Sequence, residues 1–329
     1  MIIMGVEGSA NKLGIGVMRD SEILSNLRET YSPPTGQGFI PLDAAEHHRS
    51  KIYDLIERSL EAANIKMSDV DIFCYTRGPG MYQLLSIGCN VFRTLSLLYN
   101  KPLIPVNHCI AHIEMGKLVT NTKNPVVLYA SGGNTQIIAY SDKVKLYKIF
   151  GETLDVAVGN CLDRVARELN LSNYPSPGYS IEQAAKKGNK YIPLPYTVKG
   201  MDMSFTGPIE TLKRIKHEHS VEDLCYSLQE TLFAMLVEVT ERAMSYVGSD
   251  EVMLVGGVGC NVRLQEMLGK MVKQRGGILY STDERFCIDN GVMIAYTGYL
   301  MHKSGCEFKI KDCNVTQRFR TDSVKVNWN

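Results

Sequence analysis

The sequence predicts an α/β protein built from two halves that follow one plan. Each half opens with two strands joined by a glycine-bearing turn, in residues 2–18 and again in residues 126–140. Each of these hairpins is followed by a third strand and then by segments whose apolar residues recur at helical spacing. The order strand, strand, strand, helix, strand, helix, strand, helix therefore occurs twice.

The individual elements follow from the same two periodicities. Short runs rich in β-branched residues predict strands, and longer runs with apolar residues three or four positions apart predict helices. The first half has predicted strands at 2–6, 13–18, 23–27, 71–75 and 103–106 and helices at 44–63, 84–99 and 109–118. The second half has predicted strands at 126–130, 135–140, 145–150, 251–255 and 278–280 and helices at 221–247, 261–274 and 291–302.

The duplication predicts two domains, at residues 1–120 and 121–329. Residues 171–220 are rich in Pro, Gly, Tyr and Lys and have no counterpart in the first half. We therefore predict that they form an insertion into the second domain. The final predicted helix is a candidate to pack back on the first domain.

The composition favours a soluble globular protein. Of the 329 residues, 44% are hydrophobic, which is enough to fill a sizeable core. The apolar runs are of strand length and too short to span a membrane, and the start of the sequence resembles neither a signal nor a transit peptide. We expect a cytoplasmic and nuclear protein with reduced cysteines. A net charge of +1 gives no sign of a strongly basic surface for nucleic acid.

Two histidines are spaced for metal binding. His108 and His112 stand four residues apart, so on a helix both imidazoles lie on one face and can bind one ion. The ordinary alternative is that His112 is a partly buried helix residue and His108 belongs to the start of the helix. The pair alone does not decide between the two interpretations.

A carboxylate could complete this site. Asp289 stands just before the last predicted helix, where it could be a ligand or a helix cap. Two histidines and one carboxylate with open positions suit a catalytic iron or zinc ion. A zinc peptidase would carry a glutamate directly after the first histidine, whereas this chain has Cys109 there. The peptidase signature is therefore absent.

Three glycine-rich turns could approach phosphates. They lie at residues 5–9, 131–134 and 256–261, each at the end of a predicted strand. Glycine lets a backbone approach a ligand closely, and the third turn also opens a helix whose amides favour an anion. Their repeated position in the duplicated plan predicts a nucleotide cleft between the halves.

Two further segments could border the same ligand. Asp155, Gly159 and Asp163 are predicted to share one helix face, with Asp163 facing a ribose and Gly159 leaving room for it. Residues 175–182 form a stiff turn and a helix start, so that Gly178 and Glu182 could contact the ligand too. A solvated helix face and a simple turn are the ordinary alternatives.

The motifs together carry a resemblance to known proteins. The duplicated plan resembles the actin-like ATPase superfamily (the ASKHA fold), in which two RNase H-like domains enclose a cleft. Residues 107–114, 131–136, 151–163 and 256–261 resemble the tRNA threonylcarbamoyladenosine transferase family, formerly called O-sialoglycoprotein endopeptidases, over the whole chain. Residues 195–202, 283–289 and 315–322 are similar to its archaeal and eukaryotic branch, which works in the KEOPS complex.

The resemblance implies specific site residues. The family's metal ligands correspond to His108, His112, Tyr129 and Asp289, and its nucleotide or acyl-adenylate contacts to Tyr129, Ala130, Ser131, Gly132, Gly133, Asp163, Gly178, Glu182 and Asn261. One departure follows residues 78–80, where Tyr82 and Ser86 replace a small residue and an arginine. The function of that loop is therefore in doubt.

The resemblance also implies an activity and partners. A threonylcarbamoyl group would pass from threonylcarbamoyl-adenylate to adenosine 37 of tRNA, with one iron or zinc ion per subunit and ATP or the adenylate in the cleft. The implied partners are a small atypical protein kinase, a dimer-forming subunit, a kinase-binding subunit and tRNA, with no membrane. Asp289, a metal-bound hydroxide and the substrate phosphate all stay open as the general base.

Two other functions stay open at this point. One is a metal-dependent glycoprotein peptidase, which the missing glutamate disfavours. The other is a non-catalytic ATP-binding subunit, which would bind nucleotide without needing His108 or His112. The lysine clusters at 186–190 and 213–216 are too short to be assigned to RNA, because such runs are commonly solvated helix faces.

Overall fold

The computed structural model describes residues 1–34 and 36–329. The first half contains β1 (Ile2–Glu7), β2 (Lys12–Arg19), β3 (Glu22–Thr30), α1 (Pro41–Ala63), β4 (Ile72–Gly78), α2 (Tyr82–Tyr99), β5 (Leu103–Asn107) and α3 (His108–Thr120). The second contains β6 (Val126–Ala130), β7 (Thr135–Ser141), β8 (Leu146–Glu152), α4 (Val158–Glu168), α5 (Pro177–Ala185), β9 (Val198–Lys199), β10 (Asp202–Met203), α6 (Thr206–Ile215), α7 (Val221–Val247), β11 (Glu251–Val255), α8 (Val262–Gln274), β12 (Ile278–Ser281), α9 (Glu284–Cys287) and α10 (Gly291–Lys303). The predicted strands and helices all occur, with ends that differ by at most a few residues.

Both halves build a five-stranded sheet with the same topology. The strand order is β3-β2-β1-β4-β5 in the first sheet and β8-β7-β6-β11-β12 in the second. In each sheet the first three strands are antiparallel neighbours, and the last two run parallel to the first. The predicted duplication is therefore confirmed. We call the first sheet with its helices the first lobe, and the second sheet with its helices the second lobe.

Helix α10 packs against the first sheet, although it follows the second sheet in the sequence. An ideal Cβ on Gly5 would lie 2.4 Å from the Ala295 nitrogen, and one on Gly16 would lie 2.2 Å from the Val292 nitrogen. Only glycine permits this approach of helix to strand, because any side chain would collide with the backbone. The packing carries the start of α10, and the residues just before it, to the first lobe.

The insertion is part of the core of the second lobe. Ile181 of α5 and Leu212 of α6 are fully buried in the same apolar cluster as Leu228 and Leu232 of α7. The short strands β9 and β10 form a separate two-stranded sheet. The predicted domain boundaries at 120 and 171–220 stay predictions, but these contacts show that residues 177–215 are folded onto the long helix.

The last residues form a strap between the lobes, defined here as residues 314–329. In the first lobe, the Thr316 amide donates to the Arg77 carbonyl at 2.9 Å. In the second lobe, the Val326 amide donates to the Lys145 carbonyl at 2.8 Å, and the Val326 side chain is fully buried beside Tyr147. The strap thus connects the two lobes.

The structure can be compared with the expectations for the cysteines and for membrane-spanning helices. All nine cysteines are free thiols, and all but Cys260 and Cys306 are buried. Within residues 1–34 and 36–329, no helix has the length and apolar character needed to cross a membrane. The cysteines are therefore unpaired, as the sequence predicts, and seven of them are buried.

Candidate metal and nucleotide site

The start of helix α3 places both histidines at the base of the first lobe. The Asn107 side chain caps the helix, since its Oδ1 accepts from the Cys109 and Ile110 amides at 2.9 and 3.1 Å. Its Nδ2 donates to the Phe319 carbonyl of the strap at 3.1 Å. His108 is therefore fixed as the first helical residue, and His112 lies one turn later; both are buried.

Asp289 meets the two histidines. Its Oδ1 lies 3.1 Å from His112 Nε2 and 3.7 Å from His108 Nε2. One potential ligand atom from each of the three residues lies within 4.8 Å of the others. Asn290 caps α10 by accepting from the Met293 amide at 3.0 Å, so the alternative of Asp289 as the cap is wrong. The Asp289 carboxylate is free to serve the cluster.

Glu7, which the sequence analysis did not select, lies directly behind His108. Its carboxylate is fully buried and accepts from the Ser9 amide at 2.8 Å and from the Ser9 and Thr76 hydroxyls. Its Oε2 also lies 3.0 Å from His108 Nδ1. The only sequence signal for this role of Glu7 was its position as a lone acidic residue at the end of an apolar strand.

The charges of this cluster stabilise one another. Burial alone would raise the pKa of Glu7, but the charge and hydrogen bond of His108 outweigh it and lower that pKa. Burial likewise opposes protonation of His108, yet Glu7 and Asp289 raise its pKa to about 9. The pKa of Asp289 is held well below its usual range against burial, chiefly by His112 and His108. His112 has a lowered pKa, because burial outweighs Asp289.

The hydrogen bond to Glu7 selects one tautomer of His108 once the imidazole is neutral, which is the form that binds a metal ion. A carboxylate with a lowered pKa is ionised and can only accept hydrogen bonds, so His108 Nδ1 donates to Glu7. In the neutral imidazole, Nε2 then carries a lone pair that faces Asp289. An imidazole held by a carboxylate behind it is a common arrangement of metal-binding histidines.

Tyr129 adds an unpaired polar atom to the cluster. Its ring centroid lies 5.3 Å from that of His112. Its hydroxyl, like His112 Nδ1, is buried without a hydrogen-bond partner among the described residues. A buried polar group without a partner is costly. The donor set of two imidazoles, one carboxylate and one phenol therefore fits a bound metal ion.

The turn after β6 borders open space. The Ser131 amide and hydroxyl both bond to Asn134, which closes the turn. An ideal Cβ on Gly132 or Gly133 would meet no atom within 4 Å, so the backbone of the turn is accessible. Ala130 is buried in the strand below. The accessible amides could bind an anion.

Helix α4 begins later than the sequence predicts. Asp155 precedes the helix and accepts from the Phe205 and Thr206 amides at 3.0 and 3.1 Å, so it positions the start of α6 instead of sharing a face with Asp163. An ideal Cβ on Gly159 would lie 2.6 Å from the Ser131 carbonyl. Gly159 therefore makes room for the turn after β6, and its place beside a ribose stays a prediction. The prediction that Asp155 shares the helix face is wrong, because the helix begins after this residue, at Val158.

Asp163 lies on α4 and is half-buried. Burial raises the pKa of its carboxyl to about 6, against the opposing charges of Lys12 and Arg167. Lys12 belongs to the first lobe and Asp163 to the second, so a charge of the first lobe acts on a carboxyl of the second. A carboxyl of this kind can donate or accept a hydrogen bond near neutral pH.

A second group of predicted contacts meets where α5, α7 and α8 converge. Asn261 Oδ1 caps α8 by accepting from the Arg263 and Leu264 amides at 2.9 and 3.2 Å. Its Nδ2 donates to Gln229 Oε1 at 2.9 Å, and Glu182 Oε1 accepts from the Val262 amide at 3.3 Å. A cavity of about 210 Å³ is lined by Glu182, Gln229 and Val262.

Three further residues that the sequence analysis singled out are Gly178, Tyr82 and Ser86. An ideal Cβ on Gly178 would meet only Leu162, at 3.9 Å, so packing does not require glycine there. Tyr82 is 55% exposed at the start of α2, and the Ser86 hydroxyl bonds to the Tyr82 carbonyl at 2.6 Å.

The fold and this cluster define a class of protein: a two-lobed, actin-like α/β protein with a His-His-Asp cluster beside a glycine turn. A family model described as "TsaD: tRNA N6-adenosine threonylcarbamoyltransferase" matches residues 22–296. The chain is 65% identical over 330 residues to the tRNA N6-adenosine threonylcarbamoyltransferase of Encephalitozoon cuniculi (strain GB-M1), covering 100% of this chain and 99% of that protein. It is 59% identical over 334 residues to the Xenopus laevis protein of the same name, covering 99% of each. The chain belongs to the family of tRNA N6-adenosine threonylcarbamoyltransferases.

Solved structures support the fold independently of this family. HypF from T. kodakarensis superposes with a TM-score of 0.66 at 14% identity, over 92% of this chain and 48% of that one. Component A of (R)-2-hydroxyglutaryl-CoA dehydratase from Acidaminococcus fermentans gives a TM-score of 0.56 at 13% identity, over 91% of this chain and 98% of that one. The predicted actin-like α/β fold is confirmed.

Proposed function

We propose that this chain transfers the threonylcarbamoyl group of L-threonylcarbamoyl-adenylate to N6 of adenosine 37 in tRNAs that read ANN codons. The N6 amine attacks the carbamoyl carbon, a new C–N bond forms, and the C–O bond to the phosphate breaks. One proton leaves the amine, and AMP departs. The main support is that the chain contains the cluster of His108, His112 and Asp289 and is similar over its whole length to tRNA N6-adenosine threonylcarbamoyltransferases.

The residues of the cleft support this reaction in separate ways. His108, His112, Asp289 and Tyr129 would hold one iron or zinc ion, which supplies Lewis-acid stabilisation of negative charge. Glu7 holds the imidazole of His108 in the required tautomer. The open Ser131 to Gly133 turn offers backbone amides to the phosphate.

The adenosine part of the adenylate has its own candidate contacts. These candidate contacts are Ser131, Gly132, Gly133, Asp163, Gly178, Glu182 and Asn261, with Tyr129 and Ala130 at the base of the turn. Of these, Glu182 lines the 210 Å³ cavity, and Asn261 donates to Gln229, which also lines it. We propose that the base occupies this cavity and that the ribose lies near Asp163.

We further propose that the chain works with partners in the cytoplasm and nucleus. A small atypical protein kinase, a dimer-forming subunit and a kinase-binding subunit would complete a KEOPS assembly. The net charge of +1 supports this, because a chain without basic excess needs a composite surface to hold tRNA. The peptidase alternative is disfavoured, since burial raises the pKa of the Cys109 thiol, at the position of the peptidase glutamate, to about 12.

Modified-nucleoside mass spectrometry tests the proposal. The chain with its partners is incubated with tRNA, threonine, bicarbonate, ATP and an adenylate-making enzyme, in parallel with a His108→Ala/His112→Ala variant. We expect threonylcarbamoyladenosine and equimolar AMP only with the wild type, while both proteins still bind AMP. Activity retained by the folded variant would refute the role of the histidines, and a folded but inactive wild type would refute the transferase proposal.

A further inference from the structure

Lys12 is the first residue of β2, the strand that packs against the start of α10. An ideal Cβ on Gly14 would lie 2.8 Å from the Gly291 nitrogen, and one on Gly16 would lie 2.2 Å from the Val292 nitrogen. Alternate residues of a strand share a face. Lys12 therefore projects from the face of β2 that meets the start of α10, two residues after Asp289.

The backbone of Lys12 is fixed, but its ammonium group is uncommitted. His48 Nε2 lies 3.1 Å from the Lys12 carbonyl, and His48 is fully buried. Lys12 Nζ donates to Asn11 Oδ1 at 3.2 Å. Within residues 1–34 and 36–329, no carboxylate lies within ion-pair distance of that nitrogen. The ammonium group is therefore available to an anionic ligand.

The neighbouring carboxylates do not need Lys12 as their partner. Glu7 already accepts four hydrogen bonds, and Asp289 lies against His112. Lys12 stands two residues before Gly14, on the strand face where an ideal Cβ of Gly14 would lie 3.2 Å from Asn290, the residue directly after Asp289. Its charge also acts on Asp163 of the second lobe, where it lowers a pKa that burial raises.

The second lobe presents an open turn that begins two residues after Tyr129, whose ring lies beside His112. Gly132 and Gly133 have no neighbour within 4 Å of an ideal Cβ. An anion placed between this turn and Lys12 would gain amide hydrogen bonds from the second lobe and a charge from the first. A phosphate would satisfy both groups.

We propose that Lys12 binds the phosphate of the adenylate and stabilises the AMP that leaves. This inference rests on the proposed function and adds a catalytic residue to it. The phosphate gains negative charge as its bond to the carbamoyl carbon breaks, so a fixed ammonium group stabilises the transition state more than the bound substrate. Lys12 also discriminates a nucleotide from the corresponding nucleoside.

Calorimetric titration with AMP and with adenosine tests the inference without tRNA or partners. The metal-loaded wild type is compared with Lys12→Met, Lys12→Arg and Lys148→Met; the last removes an equal charge from an exposed position on β8. We expect Lys12→Met to bind AMP about tenfold more weakly and adenosine unchanged. Lys12→Arg should keep most of the affinity for AMP, and Lys148→Met should match the wild type.

The outcomes separate this inference from the proposed function. An AMP-to-adenosine affinity ratio that is the same in wild type and Lys12→Met would overturn the role of Lys12 while leaving the cleft intact. Binding of neither compound by the wild type would refute the nucleotide cleft itself, and the inference with it. Circular dichroism establishes that each variant is folded, and Lys12→Gln replaces Lys12→Met if that variant is not.

Discussion

At the scale of single residues, the orientation of His108 depends on Glu7. The carboxylate accepts from His108 Nδ1 at 3.0 Å and is itself held by Ser9 and Thr76. Glu7→Gln keeps the size of the side chain but lets the amide nitrogen face the imidazole. We expect metal affinity to fall by about 10- to 100-fold, as for other carboxylates that support a metal-binding histidine.

A competition titration with a chromophoric chelator measures this effect. Glu61→Gln is the matched control, because Glu61 is exposed on α1 and far from the histidines in the sequence. Equal metal affinity of Glu7→Gln and the wild type would contradict the supporting role of Glu7.

The half-buried carboxyl of Asp163 predicts a pH effect on stability. Its pKa in the folded chain is about 6, above the ordinary value of 3.8. Between these two pKa values the folded state therefore binds more protons than the unfolded state. The contribution of Asp163 to the free energy of unfolding thus falls as the pH rises from about 4 to about 6. Allowing for its partial exposure, we expect Asp163→Asn to gain about 1 to 2 kcal/mol relative to the wild type between pH 4 and pH 7.

Urea unfolding at several pH values checks this expectation. Asp142→Asn, at an exposed position, should run parallel to the wild type. An Asp163→Asn curve that is also parallel to the wild type would show that the carboxyl is not held in a raised-pKa environment.

At the scale of elements, the contact of α10 with the first sheet depends on glycine. The Cβ of Gly16→Ala would lie 2.2 Å from the Val292 nitrogen. Backbone atoms cannot yield as a flexible side chain can, so we expect a loss of about 3 kcal/mol in the free energy of unfolding. Gly269→Ala on α8 is the control, because its Cβ would meet Leu279 at an ordinary 3.6 Å.

The control should gain about 0.5 to 1 kcal/mol, since alanine is favoured over glycine inside a helix. Urea denaturation of both variants gives the comparison. Stability losses of equal size in the two variants would indicate that the close helix contact has no special importance.

The elements were predictable where periodicity was strong and uncertain where it was absent. The ends of α7 at Val221 and Val247 follow from uninterrupted helical spacing and from the caps Ser220 and Gly248. The pattern predicted a helix that included Asp155, whereas α4 begins at Val158. Asp155 instead accepts a hydrogen bond from the Phe205 amide and positions the start of α6. A contact between segments about 50 residues apart leaves no periodic trace in the sequence.

At the scale of the whole molecule, the strap links the two lobes. Thr321 donates to Gln136 Oε1 at 3.0 Å, and Val326 is fully buried against the second sheet. Removal of residues 320–329 should cost about 3 kcal/mol of unfolding free energy through lost burial and an unpaired glutamine. Calorimetry measures the loss, with the exposed-site variant Lys325→Ala as control.

A shortened chain with the melting temperature of the wild type would show that the strap contributes nothing to joining the lobes. The sequence alone did not predict this strap, because residues 314–329 contain no helix or strand of the predicted kind. The two-lobed plan was predictable since each hairpin repeats. The site was predictable where residues lie close in sequence, as for His108 and His112, whereas Glu7 and Lys12 join it only through folding.

The most direct measurement is an anomalous difference map from crystals of the chain grown with iron or zinc and a stable analogue of threonylcarbamoyl-adenylate. The account predicts one peak bounded by His108, His112, Asp289 and Tyr129, with the analogue in the cleft and its phosphate between Lys12 and the turn at Gly132. A metal bound elsewhere, or an analogue outside the cleft, would contradict the assignment of this site to the transfer reaction.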